Sequence, residues 1–168
     1  AESRHLVLLC KNETGYRNLS YMVSQAYIEG FYIRPRIDLD LLRAHSEGLI
    51  GLSACLAGEI PRRIINGDYD GAKAYALEMR DILGEGNFYL ELQDHGIPDQ
   101  TIVNRALLRM HNETGIPLVC TNDAHYLRKE DAESHDVLLC IQTGKTVDDE
   151  NRMRYEPQNF YLRSTEEM

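Results

Sequence analysis

The sequence has no long hydrophobic run. Its longest unbroken apolar stretches, Leu6-Val7-Leu8-Leu9-Cys10 and Val137-Leu138-Leu139-Cys140-Ile141, are five residues each. A helix needs about 20 to cross a bilayer, so a helical membrane span is excluded. Paired Cys-x-x-Cys spacing is also lacking. The cysteines stand at 10, 55, 120 and 140, which argues against a disulfide framework or a zinc ribbon and for reduced thiols in a cytoplasmic protein. Basic charge is scarce: 18 Lys and Arg against 27 Asp and Glu leave a net charge of −9. Gripping a nucleic-acid backbone takes clustered cations, so any link to DNA has to come from elsewhere in a larger assembly.

Other absences remove function classes. The opening Ala1-Glu2-Ser3-Arg4-His5 has no initiator Met, no basic leader and no small-residue cleavage site, so it reads as a cut within a longer protein rather than a signal peptide. There is no Gly-x-Ser-x-Gly elbow for a serine nucleophile. Gln142-Thr143-Gly144-Lys145-Thr146 echoes a phosphate-binding loop, but Leu139 stands where glycine is required and a helix precedes it instead of a strand. Sequons at Asn12 and Asn112 are read as accidental. What remains is a 168-residue soluble domain, long enough to bury about two thirds of its unfolded surface.

What is present is alternation. Short apolar runs at 6–10, 49–53, 88–92 and 117–121 predict four strands. Between and after them, helical spacing at 18–29, 38–45, 58–65, 69–83, 99–113 and 130–141 predicts six helices. The order β, α, α, β, α, α, β, α, β, α implies an α/β domain with parallel strands and right-handed crossovers. Four parallel strands cannot close an ordinary barrel.

Chemistry-bearing residues collect after the predicted strands, where parallel α/β folds bind ligands. Asn122-Asp123-Ala124-His125 follows the fourth strand. On extended backbone Asp123 and His125 would point the same way, a carboxylate and an imidazole suited to zinc, manganese or iron. The competing reading is an Asx turn with a hydrogen-bonded histidine. Cys55 follows the second strand, as a thiolate ligand or a core residue. His5, at the opening of the first strand, is open to a structural or a ligating role. Asp94-His95 reads as a turn, His45 and His111 as surface residues on helices, and His135 as a brace for the 122–125 loop.

Taken together, His5-Leu6-Val7-Leu8-Leu9-Cys10-Lys11-Asn12, Thr14-Gly15-Tyr16-Arg17-Asn18-Leu19, Cys55-Leu56-Ala57-Gly58-Glu59, Tyr89-Leu90-Glu91-Leu92-Gln93-Asp94-His95-Gly96, Thr121-Asn122-Asp123-Ala124-His125-Tyr126 and His135-Asp136-Val137-Leu138-Leu139-Cys140 resemble, in order, the PHP (polymerase and histidinol phosphatase) domain carried by bacterial DNA polymerase III alpha subunits. The resemblance implies a parallel-stranded, partial PHP-type distorted TIM-like (β/α) barrel with its amino-terminal strands missing. Residues 1–147 would form the carboxyl-terminal part of that domain and 148–168 a polar connection toward a polymerase core.

It also implies that His5, Cys55, Asp123 and His125 occupy ligand positions of a cluster of up to three divalent ions, zinc or manganese, able to support 3′–5′ exonuclease or phosphoesterase chemistry. The family's His-x-His, Thr-Asp-His and acidic ligand have no counterpart in this sequence, so weak or absent metal binding and no hydrolysis are expected of this stretch alone. Implied partners are DNA through the polymerase and other replicase subunits, including a proofreading exonuclease. The alternatives are a free-standing phosphoesterase of the histidinol phosphatase type and a non-catalytic scaffold that docks a proofreading subunit.

Overall fold

A computed structural model describes residues 3–168. Ala1 and Glu2, the start of the expected first unit, lie outside the described residues. The chain forms β1 (Val7–Cys10), α1 (Glu13–Ile28), α2 (Leu39–Ala44), β2 (Leu49–Leu52), α3 (Glu59–Ile65), α4 (Tyr69–Leu83), β3 (Phe88–Leu92), α5 (Pro98–Thr114), β4 (Leu118–Cys120) and α6 (Ala132–Thr143), with a 3₁₀ turn at Lys129–Asp131 before α6. This is the expected order of strands and helices. No helix among the described residues is long and apolar enough to cross a membrane, and all four cysteines are free, Cys10 and Cys120 being exposed.

Helix starts follow capping chemistry. Asn12 Oδ1 accepts from the Gly15 N–H at 3.0 Å, and Asp38 and Asp68 do the same for Leu41 and Gly71, each meeting one of the donors a helix leaves orphaned. Asn12 therefore starts α1 about a turn earlier than the apolar spacing indicates. Gly15 sits in that first turn where α1 presses onto the chain entering β2. A Cβ on it would lie 1.9 Å from the Gly48 carbonyl oxygen. Helix α5 opens on Pro98 and closes on Gly115 with φ 73°, the left-handed conformation glycine adopts without penalty.

The sheet order is β1-β2-β3-β4. Strand β3 runs parallel to both neighbours, pairing Gly51 with Phe88 and Leu90 with Leu118. Its crossovers, α3-α4 and α5, contribute Ala72, Ala76, Met79, Leu107 and Met110 to one core with Phe88 and Leu90 of β3, all with almost no exposed surface.

Strand β1 departs from the expected all-parallel sheet: it runs antiparallel to β2, from Val7 opposite Leu52 to Cys10 opposite Leu49. The connection through α1 and α2 brings the chain back beside the end of β1 it left, where Lys11 N–H donates to the Gly48 carbonyl at 2.8 Å. Alternation of strands and helices carries no information on the direction of such an edge strand. The consequence is positional. The start of β1 now lies at the same rim as the carboxyl ends of β2, β3 and β4.

Residues 148–168 form no helix or strand of their own. They lie along the loop after β4, joined by a Tyr126–Tyr161 bridge and by Leu162 N–H donating to the Tyr126 carbonyl at 3.1 Å. Phe160 is buried there. The chain ends in a turn in which Ser164 N–H donates to the Glu167 carboxylate at 3.0 Å.

Candidate metal centre

The antiparallel edge sets the first pair of candidate ligands. His5 N–H donates to the Ala57 carbonyl at 3.1 Å and His5 bridges to Gly58, which brings its Nδ1 to 3.6 Å from Cys55 Sγ. Burial raises the Cys55 thiol above its ordinary pKa, and the negative charges of Asp123 and Glu91 push it the same way. A cation at this rim would reverse that balance, because it stabilises the thiolate.

The second pair comes from the loop after β4. Asp123 adopts φ 42°, a left-handed backbone uncommon for a non-glycine residue and found most readily in Asn and Asp. The segment is therefore not extended, and the two side chains do not align by strand alternation as expected. Instead His125 Nδ1 lies 2.6 Å from the Asp123 carbonyl oxygen. A carbonyl only accepts, so Nδ1 carries a proton and Nε2 is the nitrogen placed to ligate, as in histidines that bind metals. His125 also meets Tyr155 edge-on at 4.6 Å between ring centres.

A buried carboxylate ties the two loops. Glu91, the one charged residue of β3, is 6% exposed. Its Oε2 accepts from the Ala54 N–H at 2.9 Å, beside Cys55. Its Oε1 accepts from the Thr121 hydroxyl and from Gln93 Nε2 at 3.2 Å. Glu91 N–H in turn donates to Ser53 Oγ at 2.8 Å. Ala54, like Asp123, has positive φ, at 64°, so both loops hold strained backbone next to candidate ligands.

His95 is fully buried. Its N–H donates to Gln100 Oε1 at 2.8 Å, so the Gln100 amide nitrogen, 2.8 Å from His95 Nδ1, is the donor there. Nε2 then carries the proton and donates to the Asn122 carbonyl at 2.9 Å. The ring stacks on Phe160 at 4.0 Å. The Asp94 turn forms as expected, with Asp94 Oδ1 accepting from Gly96 N–H, but its neighbour His95 is a buried strut under the 122–125 loop. His135 packs on that loop as expected, its ring centre 5.7 Å from that of His125, and stacks on Tyr155 at 5.1 Å. Burial and then the nearby His125 lower its pKa. His45 and His111, expected at the surface, are half-buried. His45 packs on Tyr21 at 4.5 Å, and His111 Nδ1–H donates to the Ile116 carbonyl at 2.7 Å.

Thus His5 and Cys55 meet, Asp123 and His125 meet through the backbone, and Asp123 lies within electrostatic reach of Cys55 and of the Tyr155 phenol. Among the described residues no three His, Cys, Asp or Glu groups converge tightly enough to hold an ion. The donors fit a divalent metal in kind, a thiol, a carboxylate and two imidazoles, and they fit it as part of a shell. The residues missed in the sequence were Glu91, Thr121, Ser53 and Tyr155. Only Glu91 carried a usable signal, a lone carboxylate inside an otherwise apolar or aromatic strand.

The chain is 51% identical over 166 residues to the DNA polymerase III subunit alpha of Borreliella burgdorferi, 47% over 164 to that of Treponema pallidum and 48% over 164 to that of Thermus aquaticus. These alignments cover 98–99% of this chain and 13–14% of the relatives, so the chain spans about a seventh of their length. Residues 1–95 match the PHP domain family, whose members are generally metal-dependent. With more than half of its length in that match, the chain belongs to the PHP domain family.

Proposed function

We propose that this chain is part of a bacterial replicative DNA polymerase III alpha subunit, acting in the cytoplasm with DNA and other replicase subunits, a proofreading exonuclease among them. On this reading residues 1–147 complete the PHP domain and 148–168 lead toward the polymerase core. In-order similarity over nearly the whole chain to alpha subunits supports the polymerase reading over a free-standing phosphoesterase.

We further propose that His5, Cys55, Asp123 and His125 supply one side of a zinc or manganese centre. The observation that carries this is the 3.6 Å approach of His5 Nδ1 to Cys55 Sγ across an antiparallel edge. When bound, such ions supply Lewis-acid activation of water and of phosphodiester oxygens. The chain's own groups prepare for that. Glu91 fixes the loops, the His125 Nδ1–H bond leaves Nε2 free to ligate, and Tyr155 shields one side of the His125 ring. A purely supporting role is favoured by a different observation, that no three donors among the described residues converge.

The test uses the protein at its native length. Zinc and manganese content is measured alongside release of nucleotides from a 3′-ended oligonucleotide and primer extension. Metal content and hydrolysis lost together in Asp123→Asn, with extension retained, is the outcome expected. Bound metal without hydrolysis would leave the supporting role, and an absence of metal would defeat the centre.

A further inference from the structure

We infer that Glu91 is a positioning residue that locks the Cys55 loop and the loop carrying Asp123 and His125 into one unit. Its two carboxylate oxygens serve different loops: Oε2 holds the Ala54 N–H, while Oε1 holds the Thr121 hydroxyl and the Gln93 amide. With three side-chain or backbone donors satisfied and 6% of its surface exposed, Glu91 has no oxygen turned out as a ligand. Its placement on β3, between the strands that lead into the two loops, lets one side chain reach both. Each loop also carries a positive-φ residue, Ala54 and Asp123, whose strain persists only where the surroundings over-determine it.

What the positioning serves rests on the metal reading above; the coupling itself does not. The two are separated by measuring both in the native-length protein. In metal-free protein, the rate at which a thiol reagent modifies Cys55 is followed by peptide mass, so that Cys10 and Cys120 report separately. Thr121 is distant in sequence from Cys55 and is joined to its loop through Glu91. Thr121→Val, close in shape but without the hydroxyl, should raise Cys55 modification about tenfold, the population change expected when a hydrogen bond to a charged group is lost from a local opening equilibrium. Thr121→Ser should restore the native rate with an unchanged thermal midpoint.

Cobalt titration, read by thiolate-to-cobalt absorption, should show affinity lowered about 10- to 100-fold in Thr121→Val and in Glu91→Ala, as for other outer-shell changes. Cys55 modification unaffected by Thr121→Val would overturn the inference even if cobalt binds tightly. Coupled modification rates in a protein that binds no cobalt would uphold the coupling and defeat the metal reading alone.

Discussion

His5 Nδ1 lies 3.6 Å from Cys55 Sγ because β1 runs against β2. Had β1 been parallel, as alternation of elements implies, His5 would stand at the opposite end of the sheet from every other candidate ligand. Strand direction at one edge thus decides whether a donor set exists at all.

That edge is held by a close backbone approach. Gly15→Ala would drive a methyl to 1.9 Å from the Gly48 carbonyl oxygen. Overpacking of this kind costs about 1–3 kcal/mol, more where backbone must move. Chemical denaturation should show the loss, and Ser24→Ala, at an exposed position of the same helix, should change stability much less.

His95 is expected to matter through what it leaves behind. His95→Leu strands the Gln100 amide and the Asn122 carbonyl, and each buried polar group left unpaired costs about 1–3 kcal/mol. The thermal midpoint should fall, and the amides of residues 122–125 should exchange with solvent faster than they do in the unsubstituted protein.

The 148–168 segment is fastened by Arg152, whose two guanidinium nitrogens each lie 2.6 Å from an Asp136 oxygen. That hydrogen bonding holds the Asp136 carboxyl below its ordinary pKa. The folded value is depressed, so the stabilisation is complete above the unfolded value of about 3.9 and disappears as pH falls through the folded value. Proteolysis within 148–168 should be unchanged between neutral pH and pH 5, and should rise only in more acid solution. Asp136→Asn should raise it already at neutral pH.

Much of this architecture was legible in the residues. Periodicity located all four strands and six helices. Three things were not legible. The start of α1 was hidden because the apolar spacing begins only at residue 18, whereas the helix begins at Glu13, directly after the Asn12 cap. The direction of β1 depends on where residues 11–48 return, which no local pattern encodes. The alternation expected of Asp123 and His125 fails because Asp123 takes a left-handed backbone, held by a network through Glu91, Thr121 and His95 that joins strands far apart in sequence. Cys55 and His5 were identified one at a time, but only tertiary pairing puts them in contact.

The most direct measurement is cobalt titration of the native-length protein, read by thiolate-to-cobalt absorption. A shared centre predicts a saturable band that vanishes in Cys55→Ser and weakens strongly in His5→Gln, Asp123→Asn and His125→Gln. Cobalt binding with no thiolate band, or a band indifferent to Asp123→Asn and His125→Gln, would contradict it.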